Sequence, residues 1–293
     1  MDDMNESERG GVGRILTESG FRIKKHLGQN FLTDKNILDK IVKAAGITPQ
    51  TGVIEVGPGL GSLTIPLAAA AKTVLAYEID AELMPILAET LKSSPNVILL
   101  NRDILKADID QDVRMHLKDC TEIVVAANLP YYITTPILMR FLETSKSVSR
   151  LVLMMQGEVA MRVSSEPDTK DYNALTVAIR YRASVKHLFK VPRTVFVPQP
   201  NVDSAVVMVS VDPKPVCPAK DEAFFFEMVH RCFSQRRKTI LNNIRDAYTE
   251  KTRDEWSAIL REVGIDPSCR AETLSVADFV RLSDRLTMNG VER

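Results

Sequence analysis

Short apolar runs recur through the first half of the chain, and each ends in residues able to hydrogen-bond a ligand. Val53-Ile54-Glu55-Val56 runs into Gly57-Pro58-Gly59-Leu60-Gly61, and Thr73 to Tyr77 ends at Glu78-Ile79-Asp80. Val97 to Leu100 ends at Asn101-Arg102-Asp103-Ile104, and Ile123 to Ala127 ends at Asn128-Leu129-Pro130-Tyr131. Runs this short and this continuously apolar fit strands buried on both faces, and helical stretches such as Ala81 to Leu91 separate them. Strands alternating with helices build a parallel sheet with helices on its faces. That arrangement collects the polar strand ends at one edge, which is where open α/β sheets bind ligands.

The chemistry of that edge points to a nucleoside. A strand, a glycine turn and a helix start allow close backbone approach to a nucleotide, although Gly-x-Gly-x-Gly is not the dinucleotide spacing Gly-x-Gly-x-x-Gly. Glu78 falls about 20 residues beyond Gly57, where an acid reads ribose hydroxyls in such folds. Asp103 adds a second acid at the same edge. Taken singly, each is as well explained as a helix cap or a solvated charge. Jointly they describe a site for an adenosine ligand, and their charge suits a cationic one such as the sulfonium of S-adenosylmethionine. Asn128-Leu129-Pro130-Tyr131 supplies an amide, a backbone carbonyl and a flat aromatic face, the parts needed to hold a planar exocyclic amine.

Three further stretches carry information. Leu27-Gly28-Gln29-Asn30-Phe31-Leu32 reads as a loop entering a helix with Ile37, Leu38, Ile41 and Val42 on one face. Phe196-Val197-Pro198-Gln199-Pro200 is a stiff loop whose aromatic could stack on a base or could equally be core. Arg231, Arg236, Arg237, Lys238 and Arg245 crowd one predicted helical region, as a solvated face or as a phosphate track. With Lys+Arg and Asp+Glu both at 38, such a basic surface would have to be local. Cys120, Cys217, Cys232 and Cys269 form no Cys-x-x-Cys pair, which argues against zinc and for reduced thiols. No apolar run reaches the length of a membrane span and no basic-then-apolar leader opens the chain, so a cytoplasmic protein without metal is expected.

These motifs, together with Phe196-x-Pro-x-Pro-x-Val-Asp203-Ser204, resemble the KsgA/RsmA family of small-subunit ribosomal RNA adenine N6-dimethyltransferases, from about Phe21 to the C-terminus. The resemblance implies a Rossmann-like S-adenosylmethionine-dependent methyltransferase sheet with a small C-terminal α-helical domain. It implies cofactor contacts from Gln29, Asn30, Leu32, Gly57, Gly59, Glu78, Ile79, Asp103, Ile104 and Asn128. Glu78 would take the ribose hydroxyls, Asp103 the adenine amine and Asn128 the reactive edge, with Pro130, Tyr131 and Phe196 completing the catalytic pocket. The basic residues would contact RNA.

The implied substrate is a pair of adjacent adenosines in the hairpin loop near the 3′ end of 16S rRNA, within the pre-30S particle, and a monomer is expected. The domains predicted are a flexible tail over 1–20, the methyltransferase domain over 21–211 and the helical domain over 212–293, with Asp212-Pro213-Lys214-Pro215 as linker. The competing readings are an Erm-type 23S rRNA methyltransferase, a noncatalytic RNA-binding assembly factor and an NAD-dependent dehydrogenase. Tyr132-Ile133-Thr134-Thr135-Pro136 and Phe233-Ser234-Gln235-Arg236-Arg237-Lys238 favour the first-named family over the Erm type.

Overall fold

The computed structural model describes residues 13, 15, 16, 18–24, 27–212, 214–215 and 217–288. Most of the expected tail, together with Lys25, His26 and Pro213, lies outside them. The chain divides into two compact units, residues 1–160 with 185–211 and residues 161–184 with 212–293.

The first unit is built on a seven-stranded sheet. Its strands are β2 (Thr51–Val56), β3 (Thr73–Glu78), β4 (Val97–Asn101), β5 (Glu122–Asn128), β6 (Val148–Gln156), β7 (Ala183–Val191) and β9 (Ser204–Val211), in the order β4-β3-β2-β5-β6-β9-β7. The pairs from β4 through β6 are parallel, and β9 is antiparallel to β6. All of β2 is buried, the carboxyl of Glu55 included, as is β5 except at its ends, in keeping with their largely apolar sequences. The chain winds outward from β2 to β4 and then returns to place β5 on the other side of β2. The carboxyl ends of β2 and β5 therefore flank the topological switch point, where a crevice opens.

Helix α1 (Lys35–Ala45) covers one face. Asp34 caps it by accepting from the Ile37 N–H, Gly46 ends it at φ +62°, and Ile37, Leu38, Ile41 and Ala45 are buried. Two residues before α1, β1 (Phe31–Leu32) pairs antiparallel with β8 (Phe196–Val197), matching Leu32 to Phe196. The Thr33 N–H and hydroxyl both donate to the Val195 carbonyl. Two sequence-distant loops are thereby stitched into one wall. The described part of the expected tail is ordered here: Ile15 and Leu16 are helical and pack against the cluster of Phe31, Leu60, Leu83, Leu87 and Leu91. An adjacent apolar pair has somewhere to go once that cluster exists.

The second unit is helical. It contains α7 (Ala174–Arg182), α8 (Glu222–Cys232), α9 (Ile240–Ala247), α10 (Arg253–Glu262) and α11 (Val276–Met288). The first two are capped by Asn173 and Asp221, α9 by Thr239, and α10 by the Thr252–Glu255 capping box. Phe225, Trp256 and Phe279 are fully buried at its centre. Residues 161–184, expected in the methyltransferase domain, belong here instead. Tyr172, Val177 and Tyr181 are buried in this core, the Tyr181 and Phe225 rings lie 4.7 Å apart, and the Tyr181 hydroxyl donates to Glu222 at 3.0 Å. Helical periodicity marks the apolar face of α7 but not which core that face enters.

Candidate active site

The crevice beside β2 and β5 is an open cleft enclosing about 1060 Å³ of non-protein space, its solvent mouth included. Its walls come from the 27–32 segment, the glycine loop and the ends of β3, β4 and β5. Gln29, Asn30, Leu32, Gly57, Gly59, Glu78, Ile79, Asp103, Ile104, Asn128, Pro130 and Tyr131 all line it. Strands scattered through the sequence thus bring every residue assigned to the cofactor to one place.

Backbone shape makes the cleft. Gly57 has φ +69° with its N–H donating to the Tyr77 carbonyl at 2.9 Å. Gly59 has φ +61°, and a Cβ there would lie 3.1 Å from the Phe31 ring. Both positions reject side chains, which keeps the space above the loop clear for a ligand.

Glu78 is only 5% exposed. One oxygen accepts from the Gly59 N–H at 3.3 Å and the other from the Asp80 N–H at 2.8 Å. Burial raises its pKa and these backbone donors hold it down, the first effect being the larger. A carboxylate offers about four lone-pair sites, so acceptor capacity remains for a ligand hydroxyl. Asp103 accepts from the Leu105 N–H at 2.9 Å through one oxygen, and the nearest cation to the other, Lys106, is 4.0 Å away.

At the end of β5 the Asn128 Nδ2 donates to the Asn30 carbonyl at 3.0 Å. A carbonyl can only accept, so this bond assigns the amide orientation and leaves Oδ1 as an acceptor with no hydrogen bond among the described residues. Tyr131, half-buried beside it, shares a 2.7 Å hydrogen bond with the Ser204 hydroxyl. The Pro130 carbonyl, expected to receive the amine, is already engaged by the Ile133 N–H at 3.2 Å and the Thr134 hydroxyl at 3.1 Å. Those bonds start α5 (Thr134–Thr144) and occupy both lone pairs. Leu129, to which sequence reasoning assigns nothing, is the better backbone acceptor, since no described residue donates to its carbonyl.

Phe196 does not face the cleft. It is 2% exposed and packs with Leu32, Ile37, Val195 and Val206. The two-residue β8 sends Phe196 inward and leaves Val197 half-buried, so the choice between stacking plate and core falls to core. Phe196→Ala is expected to cost about 3–5 kcal/mol of stability, whereas Phe196→Leu should keep activity. Thermal unfolding and activity measured on both variants check this, because a stacking role would remove activity from Phe196→Leu while sparing stability.

Glu55, inside the glycine motif, carries no role that the sequence alone suggests. It is 1% exposed, lines the cleft, and its Oε2 makes no hydrogen bond among the described residues. Burial, helped by the Glu78 charge, pushes its pKa up to about 8 from an ordinary 4.5, with a smaller opposing effect from Thr64. Between those values the folded protein holds a proton that the unfolded chain lacks. The contribution of Glu55 to stability is therefore complete below pH 4.5, declines as pH rises and is gone above pH 8. Denaturant midpoints measured at pH 5, 7 and 9 should fall less steeply in Glu55→Gln than in wild type, and parallel curves would contradict the assignment.

The basic stretch is already occupied. Arg231 pairs with Glu227, Lys238 and Arg245 with Asp246, and Arg236 with Glu272 and the Lys170 carbonyl. Arg237 is exposed and has no ion pair among the described residues. The predicted helical region is not continuous: a helix begins only at Ile240, where Thr239 caps it, so Arg236, Arg237 and Lys238 precede it.

A family model described as "Ribosomal RNA adenine dimethylase" matches residues 20–288. The chain is 49% identical over 277 residues to ribosomal RNA small subunit methyltransferase A of Bacillus cereus (strain B4264), covering 94% of this chain and 95% of the relative. The Bacillus anthracis (strain CDC 684) protein of the same name matches at the same identity and coverage. Among solved structures, the 23S rRNA methyltransferase ErmE is similar with TM-score 0.67 and 28% identity over 88% of this chain and 99% of that one. A dimethyladenosine transferase from Plasmodium falciparum shares the fold with TM-score 0.74 and 24% identity, over 89% and 98% of the two chains.

Proposed function

The chain belongs to the ribosomal RNA adenine dimethylase family, and from that premise we propose that it transfers methyl groups from S-adenosylmethionine to N6 of two adjacent adenosines in the 16S rRNA 3′ hairpin loop. The proposed substrate form is the immature small subunit, met by a monomer in the cytoplasm. The observation that carries the reading is the Asn128 amide, oriented by the Asn30 carbonyl with its oxygen left over, in the same cleft as Glu78 and Asp103.

The cleft fits the methyl donor through residues of this chain. Gly57 and Gly59 clear the space, Glu78 would hold the ribose and Asp103 the adenine amine, and the charge of these two acids favours a cation. The donor supplies an electrophilic methyl on a positively charged sulfur. Adenine N6 is a weak nucleophile because its lone pair is delocalised into the ring. Acceptance of an N6–H by Asn128 Oδ1, with the Leu129 carbonyl beside it, holds the amine with its lone pair aimed rather than conjugated. Tyr131 is the aromatic face in the cleft against which a swung-out base would rest. Positioning of this kind accounts for most of the acceleration, and the proton leaves after transfer without a strong base.

The proposal is tested by incubating the protein with isotopically labelled S-adenosylmethionine and either immature small subunits, mature small subunits or 23S rRNA. Digestion and mass spectrometry should find N6,N6-dimethyladenosine in the immature small subunits. Product confined to 23S rRNA would establish the Erm-type reading instead, and no product with intact cofactor binding would support the noncatalytic one. Neutralising Arg236, Arg237 and Lys238 should weaken particle association and reduce its salt slope, by roughly one unit for each phosphate that is no longer neutralised. Because Arg236 and Lys238 sit in ion pairs of small worth and Arg237 has none among the described residues, exchanging carboxylate for phosphate costs little. An unchanged salt slope would make the stretch a solvated face.

A further inference from the structure

Asp80 is 4% exposed and both of its oxygens are committed. Oδ1 accepts from Lys24 Nζ at 2.7 Å and from the Glu82 N–H at 3.1 Å, and Oδ2 accepts from Gln29 Nε2 at 3.0 Å. Its own N–H donates to Glu78 Oε1. A second bond doubles the tie: Gln29 Oε1 accepts from the Lys24 N–H at 2.7 Å, so the Gln29 side chain spans its own segment and Asp80. Burying a carboxylate is costly unless it is fully partnered, and here every partner other than Glu82 comes from the N-terminal segment. Asp80 is thus the anchor by which that segment is held to the β3 end of the cleft.

The segment continues directly into Asn30, whose side chain donates to the Gly28 carbonyl and whose own carbonyl orients Asn128. We propose that Asp80 is a positioning residue for methyl transfer, holding Lys24 and Gln29 so that the Asn30 carbonyl keeps the Asn128 oxygen directed at the amine. If the segment shifts, Asn128 loses the acceptor that selects its orientation. The flipped amide would then offer N–H to the N–H of its substrate, donor against donor. This inference rests on the reading of Asn128 as the amine acceptor.

The conservative variant Asp80→Asn keeps size, one acceptor oxygen and the backbone N–H to Glu78, but loses the buried one of the two carboxylate charges that bind Lys24, the exposed Glu82 being the other. Single-turnover methyl transfer at saturating cofactor and immature subunits should fall roughly tenfold to a hundredfold. The Kd for S-adenosylmethionine should stay within about threefold, since Glu78 keeps its backbone donor. The Asn128 side-chain NH2 resonance, identified by its loss in Asn128→Ala, should exchange faster with solvent in Asp80→Asn. A transfer rate equal to wild type, or a rate and an affinity that fall in proportion, overturns the proposal. Activity in Asn128→Ala would instead show that the underlying reading of Asn128 has failed. Adding Gln29→Ala to Asp80→Asn should lower the rate little further, and full additivity also overturns the proposal.

Discussion

Asn128→Ala is expected to remove methyl transfer, by at least on the order of a hundredfold to a thousandfold, while leaving the fold and cofactor binding in place. The variant deletes a side-chain amide acceptor in the cleft whose orientation the Asn30 carbonyl fixes. It also leaves the Asn30 carbonyl without its 3.0 Å donor, but at a half-buried cleft position that loss costs only about 1 kcal/mol. Asn128→Asp sharpens the test. It preserves shape, yet sets a carboxylate oxygen against the Asn30 carbonyl, so lone pairs oppose each other and the side chain must turn away. Both variants should be inactive with unfolding midpoints near wild type. Mass spectrometry of product RNA supplies the readout, and full dimethylation by Asn128→Ala would sink the mechanism.

Glu78→Ala is expected to weaken S-adenosylmethionine binding by about 1.5–3 kcal/mol, roughly tenfold to a hundredfold. Two losses combine: the ribose acceptor goes, and the Gly59 and Asp80 N–H groups lose the carboxylate that ties them together. Asp103→Ala should weaken binding less, because Asp103 bonds only within its own turn, to the Leu105 N–H. Burial raises the Glu78 pKa above the ordinary glutamate value, so its ionised form disappears at a higher pH than that of an exposed acid. Cofactor affinity should accordingly decline as pH falls, starting sooner than free glutamate chemistry predicts. Calorimetric titration across pH in wild type and Glu78→Gln separates this from other groups, since the glutamine variant should lack that part of the profile. Wild-type affinity in a folded Glu78→Ala protein would remove Glu78 from the site.

The ends of the parallel strands were legible because burial on both faces forces a largely apolar run, and the glycine turn or polar residues that close it mark the edge. Val53–Val56, Thr73–Tyr77 and Ile123–Ala127 declare themselves this way, and with them Gly57, Glu78 and Asn128. Gln29 and Asn30 were legible only through resemblance to a family, since a polar loop has no periodicity from which to read a destination. The pairing of Leu32 with Phe196 was invisible for the same reason: two-residue strands carry no pattern, and their partners are far apart in sequence.

By itself, the sequence determined an α/β fold, the sheet edge that carries the candidate site and the chemical groups presented there, because hydrophobic runs and glycine turns act locally. Tertiary structure alone decided direction and partnership. It turned Phe196 into core, engaged the Pro130 carbonyl in the start of a helix, paired Arg236 and Lys238 with acids, and moved residues 161–184 into the helical unit. It also set the Asn128 amide by a carbonyl from a segment far away in the chain. Each of these depends on a second group brought near by folding, and a residue's identity fixes what it can bond but not what it meets.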